Sequence, residues 1–233
     1  RRVLFRSSIV SALLLFQSCS SAPQREERED PAALVRAACT PGEVSQEVSG
    51  SVWMKAKSRE ASGQFPAIVQ AKAAPPAPFE LRLEVTQLLG ARAALIEIRG
   101  KDFKVETPRD GTVNRKASSW GGIPLDWAAQ LFLDRFPCPA PDQINELRWS
   151  WLADNELLGR SPQGEESWKF RFRRWNLKPW VESVLWERSP GRTLEVKRED
   201  PDPSEGWAHR WEAASPSGEV KVRWKEQIGR AHG

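Results

Sequence analysis

The stretch Glu80-Leu81-Arg82-Leu83-Glu84-Val85-Thr86 carries the clearest structural pattern in this chain of 233 residues. Apolar residues occupy every second position and charged or polar residues fill the others, as expected for a β-strand that buries one face. The same alternation recurs through residues 44–227, where turns rich in Gly, Pro, Asp and Ser separate the alternating segments. Because short connections suit antiparallel neighbours, the sequence predicts a mainly β protein with an antiparallel sheet of about ten to eleven strands.

One segment, residues 123–136, breaks this alternation because its apolar residues recur at spacings of three and four. It begins beside Pro124 and ends before Pro137, as helices commonly do. We expect an amphipathic helix of about three turns here, placed as a lid or plug on the concave side of the sheet. A shorter helix is expected over residues 31–39, where Pro31 occupies the first turn.

Both ends of the chain are interpreted as segments foreign to the domain. Codons for residues 3–7 and 228–232 can be chosen so that the two strings are reverse complements that resemble sequencing adapters. Residues 1–7 and 228–233 are therefore expected to be adapter-derived scars. The alternative for the first segment is a genuine Arg-rich start of a signal peptide.

Residues 8–18 contain an apolar run that is too short to span a bilayer and is typical of a signal-peptide remnant. Ser18 directly before Cys19 resembles the lipobox of bacterial lipoproteins, in which the Cys thiol receives diacylglycerol. We expect a lipidated Cys19, with the rest of residues 19–43 forming a polar tether and the short helix. Ser20 after the Cys resembles lipoproteins of the Gram-negative outer membrane that face the periplasm. An ordinary secretory signal with an incidental Cys is the alternative.

Cys39 and Cys138 remain once Cys19 is assigned to lipid. An even pair of cysteines in an oxidising compartment favours a disulfide between them, and two buried free thiols are the alternative. Their wide separation does not fit zinc ligands, which come in closely spaced pairs, so no metal site is predicted.

The formal net charge of +4 arises from the two terminal segments. Arg1, Arg2, Arg6 and Arg230 are the only residues there that carry a formal charge at pH 7, so residues 8–227 are neutral overall. Binding of nucleic acid is not expected, because such binding needs a basic patch and residues 8–227 carry no net positive charge.

Motifs of catalysis are absent from the sequence. His209 is the sole His outside the C-terminal segment, and a lone His on an apolar face is usually structural. There is no Gly-x-Ser-x-Gly elbow, no phosphate loop and no paired-His spacing. We expect no enzymatic activity and no cofactor, and a hydrolase with an unrecognised carboxylate pair is the alternative.

Three motifs resemble the lipoprotein-localisation fold, an open half-barrel closed by helices that the periplasmic carrier LolA and the outer-membrane receptor LolB share. Residues 50–56 resemble its first strand, and residues 81–98 resemble its third and fourth strands with their connecting turn. Residues 120–137 resemble the helix that covers its cavity. The resemblance implies that residues 44–227 form an antiparallel open half-barrel with a helical lid.

The resemblance also implies that the protein binds lipid without covalent chemistry. In the receptor, the Leu before the turn Gly helps to insert lipoproteins into the membrane, and Leu89 occupies that position between Leu88 and Gly90. The expected partners are acyl chains or lipoproteins, the outer membrane through Cys19, and a periplasmic lipoprotein carrier, with the protein itself a monomer. The ligand-binding residues expected on the apolar face are Leu81, Leu83, Val85, Ala94, Ile96, Ile98, Phe103, Val105, Trp127, Leu131, Phe170, Phe172, Trp207, Trp211 and Trp224.

A second class of function fits the same pattern. If the apolar residues pack against the helix as an ordinary core, the protein is a structural or assembly lipoprotein whose charged outer face binds an envelope partner. An open apolar cavity under residues 123–136 distinguishes the first role from the second.

Overall fold

The computed structural model of the chain describes residues 29–39, 46–59, 62–74, 77–87, 91–100, 102–108, 111–115, 119–175, 178–204 and 206–230. The expected scar at residues 1–7, the signal-peptide remnant at residues 8–18, Cys19 and the transfer loop of Leu88, Leu89 and Gly90 lie outside these residues. Those expectations stay predictions.

Most of the described chain is β-strand, as the alternating pattern predicts. Thirteen of the described strands form one antiparallel sheet, and two very short strands form a separate pair. In chain order the strands are β1 (Gln46–Ser58), β2 (Ser62–Ala73), β3 (Glu80–Thr86), β4 (Arg92–Arg99), β5 (Asp102–Thr107), β6 (Gly111–Arg115), β7 (Ser119–Trp120), β8 (Ile123–Pro124), β9 (Arg148–Ala153), β10 (Glu156–Arg160), β11 (Glu166–Trp175), β12 (Lys178–Arg188), β13 (Arg192–Pro201), β14 (Ala208–Ser215) and β15 (Gly218–Arg230).

The large sheet consists of two runs of neighbouring strands that meet in its middle. The strand order is β6-β5-β4-β3-β2-β1-β15-β14-β13-β12-β11-β10-β9, so every pairing joins sequence neighbours except that of β1 with β15. In this central pair Val52 lies opposite Trp224 and Met54 lies opposite Val222. Among the described strands, β6 and β9 form the two edges and do not pair with each other. The predicted fold class, an antiparallel open half-barrel with helices, is confirmed.

The sheet contains more strands than the ten to eleven expected from the sequence. The additional strands β6 and β10 have five residues each, and β10 buries only the large side chain of Leu157. Strands this short contain too few repeats for period two to stand out. At the other end, β15 continues to Arg230 and so includes the first residues of the expected C-terminal scar.

Three helices contribute buried side chains to the same cluster as the strands. They are α1 (Pro31–Cys39), α2 (Leu125–Phe132) and α3 (Pro141–Glu146). α1 matches the short helix expected over residues 31–39, whereas α3 is not evident in the sequence. α2 is shorter than the three turns expected over residues 123–136, because Asp134 adopts a positive φ of 58° and the chain leaves the helix there.

The turn between β7 and β8 joins the start of α2 to the turn between β14 and β15. Gly121 and Gly122 both have positive φ, 53° and 78°, a conformation that suits Gly. A Cβ atom on Gly122 would lie 2.8 Å from the Ser215 hydroxyl. That hydroxyl donates a hydrogen bond to the carbonyl of Gly121 and accepts one from the Gly218 N–H at 3.1 Å. The backbone that enters α2 is therefore fixed by close packing.

A disulfide joins the end of α1 to the segment that follows α2. The Sγ atoms of Cys39 and Cys138 are 2.14 Å apart and their Cα atoms are 5.8 Å apart. The two residues are separated by 99 positions in the sequence, so the bond closes a long loop that contains β1–β8 and α2.

Removal of this bond is expected to destabilise the domain. The double variant Cys39→Ser/Cys138→Ser should lose about 3 kcal/mol of unfolding free energy, because an open chain of this length has much more conformational entropy when unfolded. Urea titrations of oxidised and reduced protein measure the difference. Reductant should lower the wild-type midpoint to that of the double variant and leave the variant unchanged; equal wild-type midpoints with and without reductant would contradict the expectation.

Candidate functional site

The alternating apolar residues line one face of the sheet, which we call the inner face. Val52, Val69, Phe170 and Val196 on this face are 0% exposed. Together with residues of the three helices they form one continuous buried cluster that extends from β1 to β15. The inner face is therefore the largest apolar surface that the described strands provide.

The residues expected to bind ligand fall into three groups. Members of the buried cluster are Leu81, Leu83, Ile98, Leu131, Phe170, Phe172, Trp211 and Trp224. Half-buried residues packed against that cluster are Ile96, Phe103, Trp127 and Trp207. The remaining three, which lie on β3, β4 and β5 but outside the cluster, are Val85, Ala94 and Val105. The structure thus brings twelve of the fifteen together.

Helix α2 lies across the inner face and contacts it through aromatic rings. The ring of Phe132 meets Trp211 edge-on at a centroid distance of 5.0 Å. At the other end of the helix, Trp127 lies 5.2 Å from Trp186 and 5.8 Å from Trp168. No side chain of α2 makes a hydrogen bond or an ion pair within the described part of the chain. Apolar contact alone therefore holds the body of α2 on the sheet.

The sheet-facing side of α2 is tightly packed. Ala129 is 1% exposed, and Leu131 and Phe132 are each 3% exposed. The inner face beneath the helix is therefore occupied by the helix's own side chains in this conformation.

The indole N–H groups on the inner face differ in whether a described residue accepts their hydrogen bond. The N–H groups of Trp168 and Trp186 both donate to Glu166, at 3.0 and 2.7 Å, and that of Trp180 donates to the Gly206 carbonyl at 2.7 Å. By contrast, the buried Trp211 N–H has no acceptor among the described residues. A buried donor without a partner costs about 1–3 kcal/mol.

A buried ion pair lies where the chain leaves α2. Arg198 is 8% exposed and donates from Nη1 to the Asp134 carboxylate at 2.9 Å. Its Nε and Nη2 donate to the Val181 carbonyl, and its guanidinium lies between the rings of Phe136 and Trp180. One feature of the sequence points to this site. Arg198 stands at a position of β13 where the alternation of buried and exposed residues calls for a buried side chain.

A cavity of 390 Å³ lies beside this ion pair, and we call it the end cavity. Its polar lining includes Gln46, Gln130 and Arg135, and its apolar lining includes Trp127 and Val181. Arg135 donates from Nε to the Gln46 side-chain oxygen at 2.7 Å, and its guanidinium lies 5.4 Å from the ring of Phe79. Burial lowers the pKa of the Arg135 guanidinium. This site leaves no pattern in the sequence, because Gln46 and Arg135 are far apart in the chain.

The opposite, outer face of the sheet carries charged residues in pairs. Arg82 and Lys104 both contact Glu97, at 3.3 and 3.0 Å, and Arg92 contacts Glu106 at 3.1 Å. Exposed pairs of this kind contribute at most about 1 kcal/mol each. These carboxylates therefore serve as solvated, paired surface groups.

The described residues also bear on catalytic, metal-binding and membrane-spanning sites. The His209 side chain is 41% exposed, lies 3.7 Å from Asp202 and contacts the Trp207 ring at a centroid distance of 4.1 Å in a tilted arrangement. No group of three or more His, Cys, Asp and Glu side chains with metal-binding geometry occurs in the described ranges. None of the described helices has the length and apolar composition required to cross a bilayer.

No protein-family model matches this chain, and no curated protein matches its sequence. Among solved structures, the fold is similar to that of a LolA superfamily protein from Nitrosomonas europaea, with 12% identity and a TM-score of 0.44 over 87% of this chain and 93% of that chain. It is similar to a Vibrio parahaemolyticus domain described as an outer membrane lipoprotein-sorting protein, with 10% identity and a TM-score of 0.49 over 84% and 90%. A DUF1329 family protein from Desulfovibrio piger matches with 13% identity and a TM-score of 0.46 over 84% and 89%. These similarities concern the fold alone.

The ion pair of Arg198 can be tested against a matched surface pair. Asp134 and Asp200 both have positive φ, 58° and 52°, and each contacts an Arg, at 2.9 and 3.0 Å. Arg198 of the Asp134 pair is buried, whereas both members of the Asp200 pair are exposed. Asp134→Asn should therefore lower the free energy of unfolding by about 2 kcal/mol, because the buried Arg198 charge loses its counter-ion. Asp200→Asn should cost less than about 1 kcal/mol. Urea denaturation measures both, and equal losses would show that burial of the pair does not matter.

Proposed function

We propose that the protein is a lipid-anchored, periplasm-facing binding protein whose inner face shelters acyl chains or lipoproteins and helps to deliver them to the outer membrane. The observation that carries the proposal is the way α2 covers a continuous apolar face through apolar contacts alone. Such a contact is non-directional, so an acyl chain can replace it without leaving hydrogen bonds broken. No covalent chemistry is required, because transfer is a partition between apolar sites.

The free energies of displacing α2 and of binding an acyl chain in its place are similar in size, which supports a helix that opens. Displacing α2 exposes its apolar side chains and those of the sheet, at about 25 cal/mol per Å². A bound chain covers the sheet again and contributes about 0.8 kcal/mol for each buried CH₂ group. A long acyl chain therefore supplies enough free energy to offset the displacement of two helical turns.

The buried Trp211 N–H supports a ligand that carries carbonyl groups. It has no acceptor among the described residues while its ring contacts Phe132 of α2. An ester or amide carbonyl of a lipid or lipoprotein that replaces Phe132 can accept this hydrogen bond. With α2 closed, the Trp211 N–H has no acceptor among the described residues, and with ligand bound it donates to the ligand carbonyl.

A structural or assembly role is the second candidate. The tight burial of Ala129, Leu131 and Phe132 favours it, because a filled inner face needs no ligand. In that role the charged outer face binds an envelope partner. The two candidates differ in one physical property, which is whether α2 leaves the sheet.

Binding by the inner face can be measured directly. We expect a fluorescent fatty acid to bind the purified domain saturably, at about one site per chain. Leu131→Ala should raise the apparent affinity about tenfold, because weakening the closed helix by roughly 1.4 kcal/mol increases the open population by that factor. Asp126→Ala is the matched control on the exposed side of α2 and should leave the affinity unchanged.

Two results would contradict the binding role. One is the absence of saturable binding in both the wild type and Leu131→Ala. The other is a Leu131→Ala variant that unfolds at lower temperature but binds no more tightly, which would favour the structural role.

Delivery is expected to depend on the Cys19 anchor and on the apolar loop at residues 88–90. Leu89→Glu should leave fatty-acid affinity unchanged and lower the rate of transfer from protein to vesicles at least several-fold, because a charge at the loop opposes entry into the bilayer. A stopped-flow transfer assay with Leu152→Glu, which adds the same charge at a 52% exposed side chain on β9, serves as control. Equal transfer rates for wild type and Leu89→Glu would remove the loop from the proposal.

A further inference from the structure

The guanidinium of Arg135 has no counter-ion among the residues that the structure describes. Its Nε bonds to the neutral side chain of Gln46, and its Nη2 is buried and has no acceptor within the described ranges. Arg198, which lies nearby, differs in that its guanidinium contacts the carboxylate of Asp134. Of the two guanidinium groups that line the end cavity, only that of Arg135 has no carboxylate partner in the described chain.

A half-buried charge of this kind carries a cost. Removing a cation from water is unfavourable unless an anion or several hydrogen bonds compensate it. Burial alone lowers the pKa of Arg135, with no opposing contribution from a nearby carboxylate. An anion that enters the end cavity would supply the missing interaction, and a guanidinium can hold a carboxylate or phosphate through two parallel hydrogen bonds.

The end cavity also touches the apolar part of the molecule. Trp127, Leu133 and Val181 belong to its lining together with Arg135. Trp127 extends under α2 to Trp168 and Trp186 at 5.8 and 5.2 Å. A ligand with a charged end at Arg135 therefore has an apolar path toward the inner face. The volume of 390 Å³ accommodates about a dozen groups of the size of water, enough for a head group and the start of a chain.

We propose that the end cavity is the head-group site of the amphiphile whose chain lies on the inner face, and that Arg135 binds its single anionic group. This inference rests on the proposed function and narrows it to anionic, single-headed amphiphiles. Carboxylate and phosphate monoester share the required chemistry. Gln46 holds the guanidinium in place through Nε, and Nη2 is enclosed, so Nη1 is the nitrogen that meets the anion.

The test compares ligands that differ only in the charged group. The full chain is titrated at pH 7.5 and low salt with palmitate, with its methyl ester and with a lysophosphatidate of the same chain length. Wild type should bind palmitate about tenfold more tightly than the ester, and the comparison with lysophosphatidate identifies which anion the site prefers. Arg135→Gln should bind acid and ester equally, with ester affinity unchanged, and Arg135→Lys should retain part of the preference.

Two controls separate a binding role from a structural one. Arg99→Gln removes a charge from a side chain that is 70% exposed on the outer face, and it should leave the preference intact. Without ligand, Arg135→Gln should be at least as resistant to urea as wild type, because it removes an uncompensated charge; a large loss of resistance would assign Arg135 to structure instead.

The outcomes distinguish this inference from the function on which it rests. If wild type binds acid and ester equally, or if Arg135→Gln keeps the preference, the head-group site is wrong and the binding function stands. If wild type binds none of the three ligands, the binding function fails and the head-group site fails with it.

Discussion

An open sheet with one apolar face must cover that face, and the rest of the structure follows from this requirement. The thirteen strands of the large sheet give an inner face too large for their own loops to cover, so α1, α2 and α3 lie on it. α2 is fixed at its start by the packing of Gly122 against Ser215 and after its end by Asp134 and by the disulfide of Cys138. Between these fixed points its contacts are apolar. The helix is thus held by specific contacts at its two ends and by apolar contacts along its body.

The two arginines near the end of α2 differ in how the described residues around them balance their charge. Arg198 has a carboxylate, a carbonyl and two aromatic rings around it, and these contacts tie β12, β13 and the end of α2 together. Arg135 has an amide oxygen and the edge of a cavity. The first group satisfies its charge within the fold. The second has a charge that the described fold leaves uncompensated, which is the property expected of a group that meets a ligand.

The sequence predicts the fold well and the site in part. Period two shows where the long strands lie, because every second residue must enter the core, and Pro31 marks the start of α1. The predicted length of α2 is wrong. The helix ends early because Asp134 adopts a left-handed backbone and contacts Arg198 of β13. The local spacing of apolar residues holds no information about such a distant contact. The strands β6 and β10 are not predicted, because five residues contain too few apolar–polar alternations to be recognised. The site of Arg135 cannot be recognised in the sequence, because its surroundings come from Gln46 on β1 and from Phe79 directly before β3, both distant in the chain.

The pairing of β1 with β15 has a consequence for the order in which the molecule can form. Each of the two runs of strands can pair along its own length as the chain emerges, since the neighbours are adjacent in sequence. The centre of the sheet, however, stays divided until β15 reaches β1. Until then Val52 and Met54 belong to an unpaired edge, which any other extended chain can extend. A join between such distant strands is slow to close, so the nascent domain passes through a stage in which it needs protection from its neighbours.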